Sequence, residues 1–251
     1  MNEMAPNLFI LGAAKCGTTS LHDYLGQHPD IHACWWKEPT FFNSPFQNVR
    51  NPLQYFKLFD SPKRFRLDSS VAYLVNPATP PVLRSLFPNA RFIVSLRNPS
   101  ARAYSLYRNN RFGEWEDMPT FLEALEAEAE RHASVEFLQT CRWDFWTYLY
   151  CHSSLYDEQL ERYFALFDRK QFHIITLAEL SRDPLSTTES ILRFLELDPA
   201  PARHFKFETK NRHEDTKPSY DPRCDEIMAR AFEGLTARTD RLVGRRLDWS
   251  V

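Results

Sequence analysis

Between Asn7 and Ser20 the chain reads Asn-Leu-Phe-Ile-Leu-Gly-Ala-Ala-Lys-Cys-Gly-Thr-Thr-Ser, and this stretch constrains everything around it. Leu8 to Leu11 is a continuous apolar run of strand length, the pattern of a strand covered on both faces in a parallel sheet. Gly12 and Gly17 bracket a turn of small residues, and Thr18 to Tyr24 reads as the start of a helix. Strand, small-residue loop and helix N-terminus together build an anion site, because the first N–H groups of a helix have no partner within it. Lys15 adds a mobile positive charge and the Thr18 and Thr19 hydroxyls add neutral donors, so the natural guest is a phosphate. In the nucleoside-triphosphatase loop the lysine directly follows the second glycine and precedes the Mg²⁺-binding Ser or Thr. Here Lys15 comes two residues before Gly17, which gives similar physics with different geometry. Taken alone, the loop is equally compatible with a strand–helix turn carrying an incidental lysine, and a second site must decide.

The chain has 251 residues, 43% of them hydrophobic, enough to bury a core and expected to form one domain over 1–251. A net charge of -2 provides no overall basic field for nucleic acid or an anionic membrane. No apolar run approaches the ~18 residues of a membrane span. Residues 7–14 lack a preceding basic region and are followed by Lys15, so a signal peptide is not expected. The five cysteines are odd in number without a C-x-x-C pair, which points to reduced thiols and a cytoplasmic setting. His28, His32 and Cys34 could be imagined as metal ligands, but Gln27-His28-Pro29-Asp30 reads better as a helix-ending turn. No metal cluster is expected.

A second informative unit is Ala90-Arg91-Phe92-Ile93-Val94-Ser95-Leu96-Arg97-Asn98-Pro99-Ser100. It reads as a buried strand, an arginine at its C-terminal end, a turn, and Ser100 as N-cap of a helix from Ala101 to about Asn110. Ligands of open α/β sheets gather at the C-terminal ends of the strands, so Arg97 is expected at the same sheet edge as Lys15. Its planar fork suits a second phosphate, with Ser105 reaching from the helix. A salt bridge to an acid is the alternative for Arg97, and two phosphate-type sites on one edge argue against it. Between the units, Cys34-Trp-Trp-Lys-Glu-Pro-Thr-Phe-Phe42 places Glu38 among aromatic residues. An apolar surround strengthens a carboxylate as a base; the alternative is that Glu38 pairs with Lys37 on a loop.

Phe9-Ile10-Leu11-Gly12-x-x-Lys15-x-Gly17-Thr18-Thr19-Ser20-Leu21, His28-Pro29-Asp30-Ile31, and Lys37-Glu38-x-x-Phe41-Phe42, in this order, resemble the sulfotransferases. The likeness is to the carbohydrate and heparan-type branch and its bacterial relatives. Val94-x-Leu96-Arg97-Asn98-Pro99-x-x-Arg102-Ala103-x-Ser105 is similar to that family's 3′-phosphate site. Ser154-x-Tyr156-x-x-Gln159-Leu160 and Leu242-x-Gly244-Arg245-x-Leu247-x-Trp249 are similar to further landmarks. The resemblance implies an α/β fold, P-loop-like and three-layered, with a central parallel sheet of four to five strands. It implies 3′-phosphoadenosine 5′-phosphosulfate (PAPS) as donor, no metal, and sulfuryl transfer to a hydroxyl or amine. Carried over by position, it implies donor contacts from Lys15, Cys16, Gly17, Thr18, Thr19, Ser20, Arg97, Ser105 and Tyr156. Glu38 would be the general base, and Lys15 would stabilise the leaving phosphate.

Two departures bear on the acceptor. Heparan-type members carry a histidine where this chain has Thr40, and a lysine where Ser69 follows Asp68. Both positions flank the acceptor in the family, so the heparan-type acceptor does not transfer. The near-neutral charge agrees, since a polyanionic glycan wants a basic groove. The family's basic loop near residue 210 also lacks its disulfide hairpin and Lys-Gly-Arg here, leaving Lys210, Arg212 or Lys217 as donor contacts. Residues 119–131 read as one acidic amphipathic helix with a solvated charged face. The aromatic run Trp143 to Tyr150 reads as core or acceptor wall. Trp36, Thr40, Phe41, Ser69, Trp143 and Trp146 are therefore the candidate acceptor contacts, for a small molecule or weakly charged carbohydrate. The oligomeric state is open. A P-loop-type kinase and a non-catalytic nucleotide-binding protein of the same fold are the alternatives.

Overall fold

The computed structural model describes residues 5–208 and 220–250. Five strands, β1 (Leu8–Gly12), β2 (Ile31–Ala33), β3 (Phe65–Asp68), β4 (Arg91–Leu96) and β5 (Phe172–Thr176), form a parallel sheet in the order β2-β3-β1-β4-β5. The chain runs from the centre to one edge and then back through the centre to the other. The reversal lies between β1 and β4, so their C-terminal ends form the crevice where such sheets bind ligands.

The strand composition explains this placement. All five residues of β1 are buried, and Phe92 to Leu96 of β4 are buried as well, as apolar runs without alternation require. One face packs Phe9, Leu11, Phe92 and Val94 against Tyr73, Tyr156, Tyr163 and Phe167. The opposite face packs Leu8, Ile10 and Ile93 against Leu21, Leu25, Ile191 and Leu192. The helices supplying these layers are α1 (Thr18–Gly26), α2 (Pro52–Lys57), α3 (Ala72–Val75), α4 (Thr79–Leu86), α5 (Pro99–Phe112), α6 (Phe121–Glu126), α7 (Glu128–Ala133), α8 (Val135–Thr140), α9 (Tyr156–Phe164), α10 (Leu177–Arg182), α11 (Pro184–Phe194), α12 (Arg223–Ala231) and α13 (Leu235–Val243).

Three local expectations are corrected. Asn98, not Ser100, caps α5: its side chain accepts from Ala101 N–H, and Pro99 occupies the first helical turn, where its missing N–H costs nothing. The helix expected over 119–131 divides into α6 and α7, with Thr120 and Glu123 forming a capping box at the start of α6. Its charges are also not all solvated. Arg131 makes a buried bidentate pair with Glu116 (2.7 and 2.6 Å), and Glu128 accepts from the Cys151 and His152 N–H groups. α3 and α10 are short helices that start within a few residues of a strand end, where no full apolar period can be read from sequence.

Candidate active site

The loop from β1 to α1 is held from two sides. Ala13 N–H donates to Ser95 C=O (2.7 Å), Ser95 Oγ donates to Cys16 C=O (2.6 Å), and Arg102 Nε donates to Ala14 C=O (3.1 Å). Arg102 also binds the Ser153 and Ser154 hydroxyls, at 2.9 and 2.7 Å, so one buried guanidinium ties the loop to the segment before α9. Gly17 stands at φ 76 and no side chain caps α1. The backbone angle favours glycine, and a Cβ there would lie 2.8 Å from Leu177 Cδ1, so the leucine side chain would have to shift. An uncapped helix start preceded by a lysine is what an anion needs.

Lys15 is itself left-handed, at φ 67, and its Nζ donates to Asn109 Oδ1 of α5 (2.8 Å). Burial holds its ammonium below the usual lysine range; the Arg97 and Lys37 charges push the same way, against Cys16 and Glu38. Cations that destabilise one another mark a site short of negative charge. Arg97 follows β4, half-buried, and among the described residues its guanidinium has no carboxylate partner, so the salt-bridge alternative has no support. The donor set thus suits a ligand with two phosphate-type groups: lysine and uncapped helix on one side, arginine fork on the other.

Other expected donor contacts are placed differently. Tyr156 is fully buried, and its hydroxyl donates to Arg97 C=O (3.0 Å); it positions the arginine and presents no surface to a ligand. Cys16 is fully buried and its thiol is pushed up to about 11 by burial, so only its backbone could meet an anion. Thr18 and Ser20 are buried, and Thr19 and Ser105 are half-exposed. Lys210, Arg212 and Lys217 lie outside the described residues.

Of its two readings, Glu38 takes the pairing with Lys37 on a loop rather than the apolar surround. Lys37 Nζ binds its Oε1 at 2.7 Å, and Val71 N–H donates to its Oε2 at 3.3 Å. The carboxylate is held between a cation and the turn after β3. Thr40 and Ser69, two of the expected acceptor contacts, have their hydroxyls engaged within the chain. Thr40 is buried and its hydroxyl accepts from Asn48 N–H (2.8 Å); Ser69 is fully buried with its hydroxyl 2.8 Å from His22 Nδ1. Phe41 stacks on Tyr55 (4.5 Å between ring centres), Trp143 lies between Trp115 (4.3 Å) and Phe46 (4.8 Å), and Trp146 stacks on His152. Trp36 is half-buried, whereas neighbouring Trp35 is 76% exposed. Asn109 was missed by sequence reasoning; it could have been found, since it lies four residues beyond Ser105 on the same face of α5.

Among the described residues no group of three or more His, Cys, Asp or Glu side chains is arranged to hold a metal ion, and no helix is long and apolar enough to cross a membrane.

The "Bifunctional heparan sulfate N-deacetylase/N-sulfotransferase 1" of Xenopus laevis is 29% identical over 204 residues, covering 76% of this chain and 22% of that protein. The chain therefore spans about a fifth of the length of such relatives. The crystal structure of a sulfotransferase from Alicyclobacillus acidocaldarius superposes with a TM-score of 0.79 at 32% identity, covering 96% of this chain and 97% of the other. A mouse sulfotransferase, SULT7A1, complexed with PAP shares the fold, with a TM-score of 0.55 at 17% identity over 93% of this chain and 86% of the other. The model of the sulfotransferase domain matches residues 5–226, so the loop, the arginine strand and the helices that hold them all fall within that match, and the chain belongs to the sulfotransferase family.

Proposed function

We propose that this protein transfers the sulfuryl group of PAPS to a hydroxyl or amine of a small-molecule or carbohydrate acceptor. The observation that carries this reading is the Lys15–Arg97–Lys37 cation group at the uncapped start of α1, with one carboxylate, Glu38, beside it. Its excess positive charge suits a donor with 5′- and 3′-phosphate groups on one ribose. PAPS supplies an activated sulfuryl group bridged by oxygen to the 5′-phosphate. Lys15 offsets charge growing on that bridging oxygen as the S–O bond breaks, where preorganised electrostatics contributes most. Glu38 takes the acceptor proton as the new bond to sulfur forms. Lys37 fixes one carboxylate oxygen, while the other, on a long contact from Val71 N–H, retains acceptor capacity.

Thermal shift with 3′-phosphoadenosine 5′-phosphate (PAP) against ATP and Mg²⁺ tests the donor. A ligand at a hundredfold excess over Kd stabilises by about 2.7 kcal/mol. Stabilisation by ATP and Mg²⁺ but not PAP would support the kinase reading. PAPS-loaded protein is then offered a phenol, an aliphatic alcohol, an amino sugar and an N-acetylated sugar, with product read as a mass gain of about 80 daltons, one sulfuryl group on a positioned acceptor. PAP binding without transfer to any of them would favour the non-catalytic reading.

A further inference from the structure

The loop carrying Glu38 is held in an unfavourable backbone shape. Glu38 and Thr40 stand at φ 64 and 49, and non-glycine residues remain there only where the surroundings over-determine them. On one side Asn48 supplies the restraint: its side-chain N–H donates to Glu38 C=O and its backbone N–H to Thr40 Oγ1, both at 2.8 Å. On the other side the contacts come from the residues following β3. Val71 N–H donates to Glu38 Oε2, Thr40 N–H donates to Ser70 Oγ (3.0 Å), and Phe42 N–H donates to Tyr73 Oη (3.3 Å).

Those hydroxyls converge on one buried group. Ser70 Oγ donates to Asp68 Oδ1 at 2.6 Å, and Tyr55 and Tyr73 donate to Asp68 Oδ2 at 2.7 and 3.2 Å. The proton directions are set by chemistry. A backbone N–H can only donate, so Ser70 and Tyr73 receive from the loop and direct their own protons to Asp68. Asp68 has no exposed surface, and only a carboxylate accepts all three protons without offering one in return. We propose that Asp68 is the positioning residue for the Glu38 loop, acting through Ser70 and Tyr73.

This inference rests on Glu38 as the base. Burial raises the Asp68 carboxyl to about 6, opposed by its three hydroxyl donors and reinforced by the charge of Glu38. The titratable groups facing it are Cys34 after β2, Tyr55 of α2, Tyr73 of α3 and Glu38 of the loop. Protonation converts one acceptor into a donor and breaks the pattern.

Hydrogen exchange on the full chain, resolved for peptides covering 38–43, tests the inference in the wild type, Asp68→Asn and Ser70→Ala. Both variants are expected to exchange the Thr40 and Phe42 amides at least tenfold faster, with PAP affinity within twofold and kcat on the best acceptor of the panel reduced at least tenfold. Wild-type protection, corrected for intrinsic exchange, should fall between pH 7.5 and 5. If Asp68→Asn does not fold, Ser70→Ala and the wild-type titration suffice. Unchanged protection in a folded Ser70→Ala variant with no pH dependence overturns the proposal, as does a uniform increase across the chain. Local loosening alongside normal turnover by Glu38→Gln would remove Glu38 as base while retaining Asp68 as the anchor of the loop.

Discussion

Replacing Glu38 with Gln keeps the side chain's size and its contact with Val71 N–H but removes the capacity to take a proton. The structural cost is expected to be small. The Lys37–Glu38 pair is 2.7 Å long with side chains 19% and 31% exposed, and pairs in such contact with solvent contribute about 0.2–1 kcal/mol. At about 2–4 °C per kcal/mol for a chain of this size, melting temperature should fall by no more than about 4 °C. PAP affinity should stay within about threefold, because Glu38 pairs with Lys37 and not with Lys15, whose Nζ is held by Asn109, and its removal takes away only a neighbouring negative charge. By contrast, loss of a general base costs roughly 10²–10⁴ in rate, about 2.7–5.5 kcal/mol of barrier. Melting, PAP titration and single-turnover kinetics on one preparation separate these terms. A variant with normal melting and normal turnover would refute the base assignment. One that binds PAP poorly and melts far below the wild type would show Glu38 to be a brace.

Arg97→Ala should weaken PAP far more than adenosine 5′-phosphate, by on the order of 2–4 kcal/mol for loss of a charge-assisted fork; an unchanged ratio between the two affinities removes Arg97 from the 3′-phosphate. Lys15→Ala should lower kcat and PAP affinity together, and Lys15→Arg should not restore them, because a planar guanidinium replaces a point charge. Since Lys15 releases its proton more readily in the folded chain than in the unfolded one, this group makes folding more favourable as pH rises through the interval below 10.5. Melting temperature measured from pH 8 to 10.5 should accordingly rise less, or fall more, in Lys15→Gln than in the wild type. Gly17→Ala should lose on the order of 1–2 kcal/mol from its left-handed backbone alone, with more from the Leu177 contact, and calorimetry of the variant checks it.

Much of the donor half was legible in the sequence because it depends on short-range order. Leu8–Leu11 and Phe92–Leu96 are apolar without alternation, which requires cover on both faces, and cover on both faces requires a parallel sheet with helices on either side. Once both units are strands of one parallel sheet, Lys15 and Arg97 must emerge at the same edge. Tyr156 was legible only in part, for a related reason. Its place in a family-like block shows that it matters, but not that its hydroxyl is spent on the Arg97 backbone.

The chain alone determined the sheet, the anion loop, the arginine strand and the carboxylate near them, since each is written in residues adjacent in sequence. Tertiary structure alone decided who holds these groups. Asn109 reaches Lys15 across 94 positions, and Arg102 reaches Ser153 and Ser154 across about fifty. The surroundings of the Glu38 loop were least legible because Asn48, Asp68, Ser70, Val71 and Tyr73 are brought to it only by folding. Ser69 and Thr40 show why residue type is not enough there: a serine and a threonine suit an acceptor pocket, yet both hydroxyls are already engaged, one beside His22 and one by Asn48 N–H. A buried hydroxyl takes whichever partner the packed chain brings within reach, and that choice is made by neighbours distant in sequence.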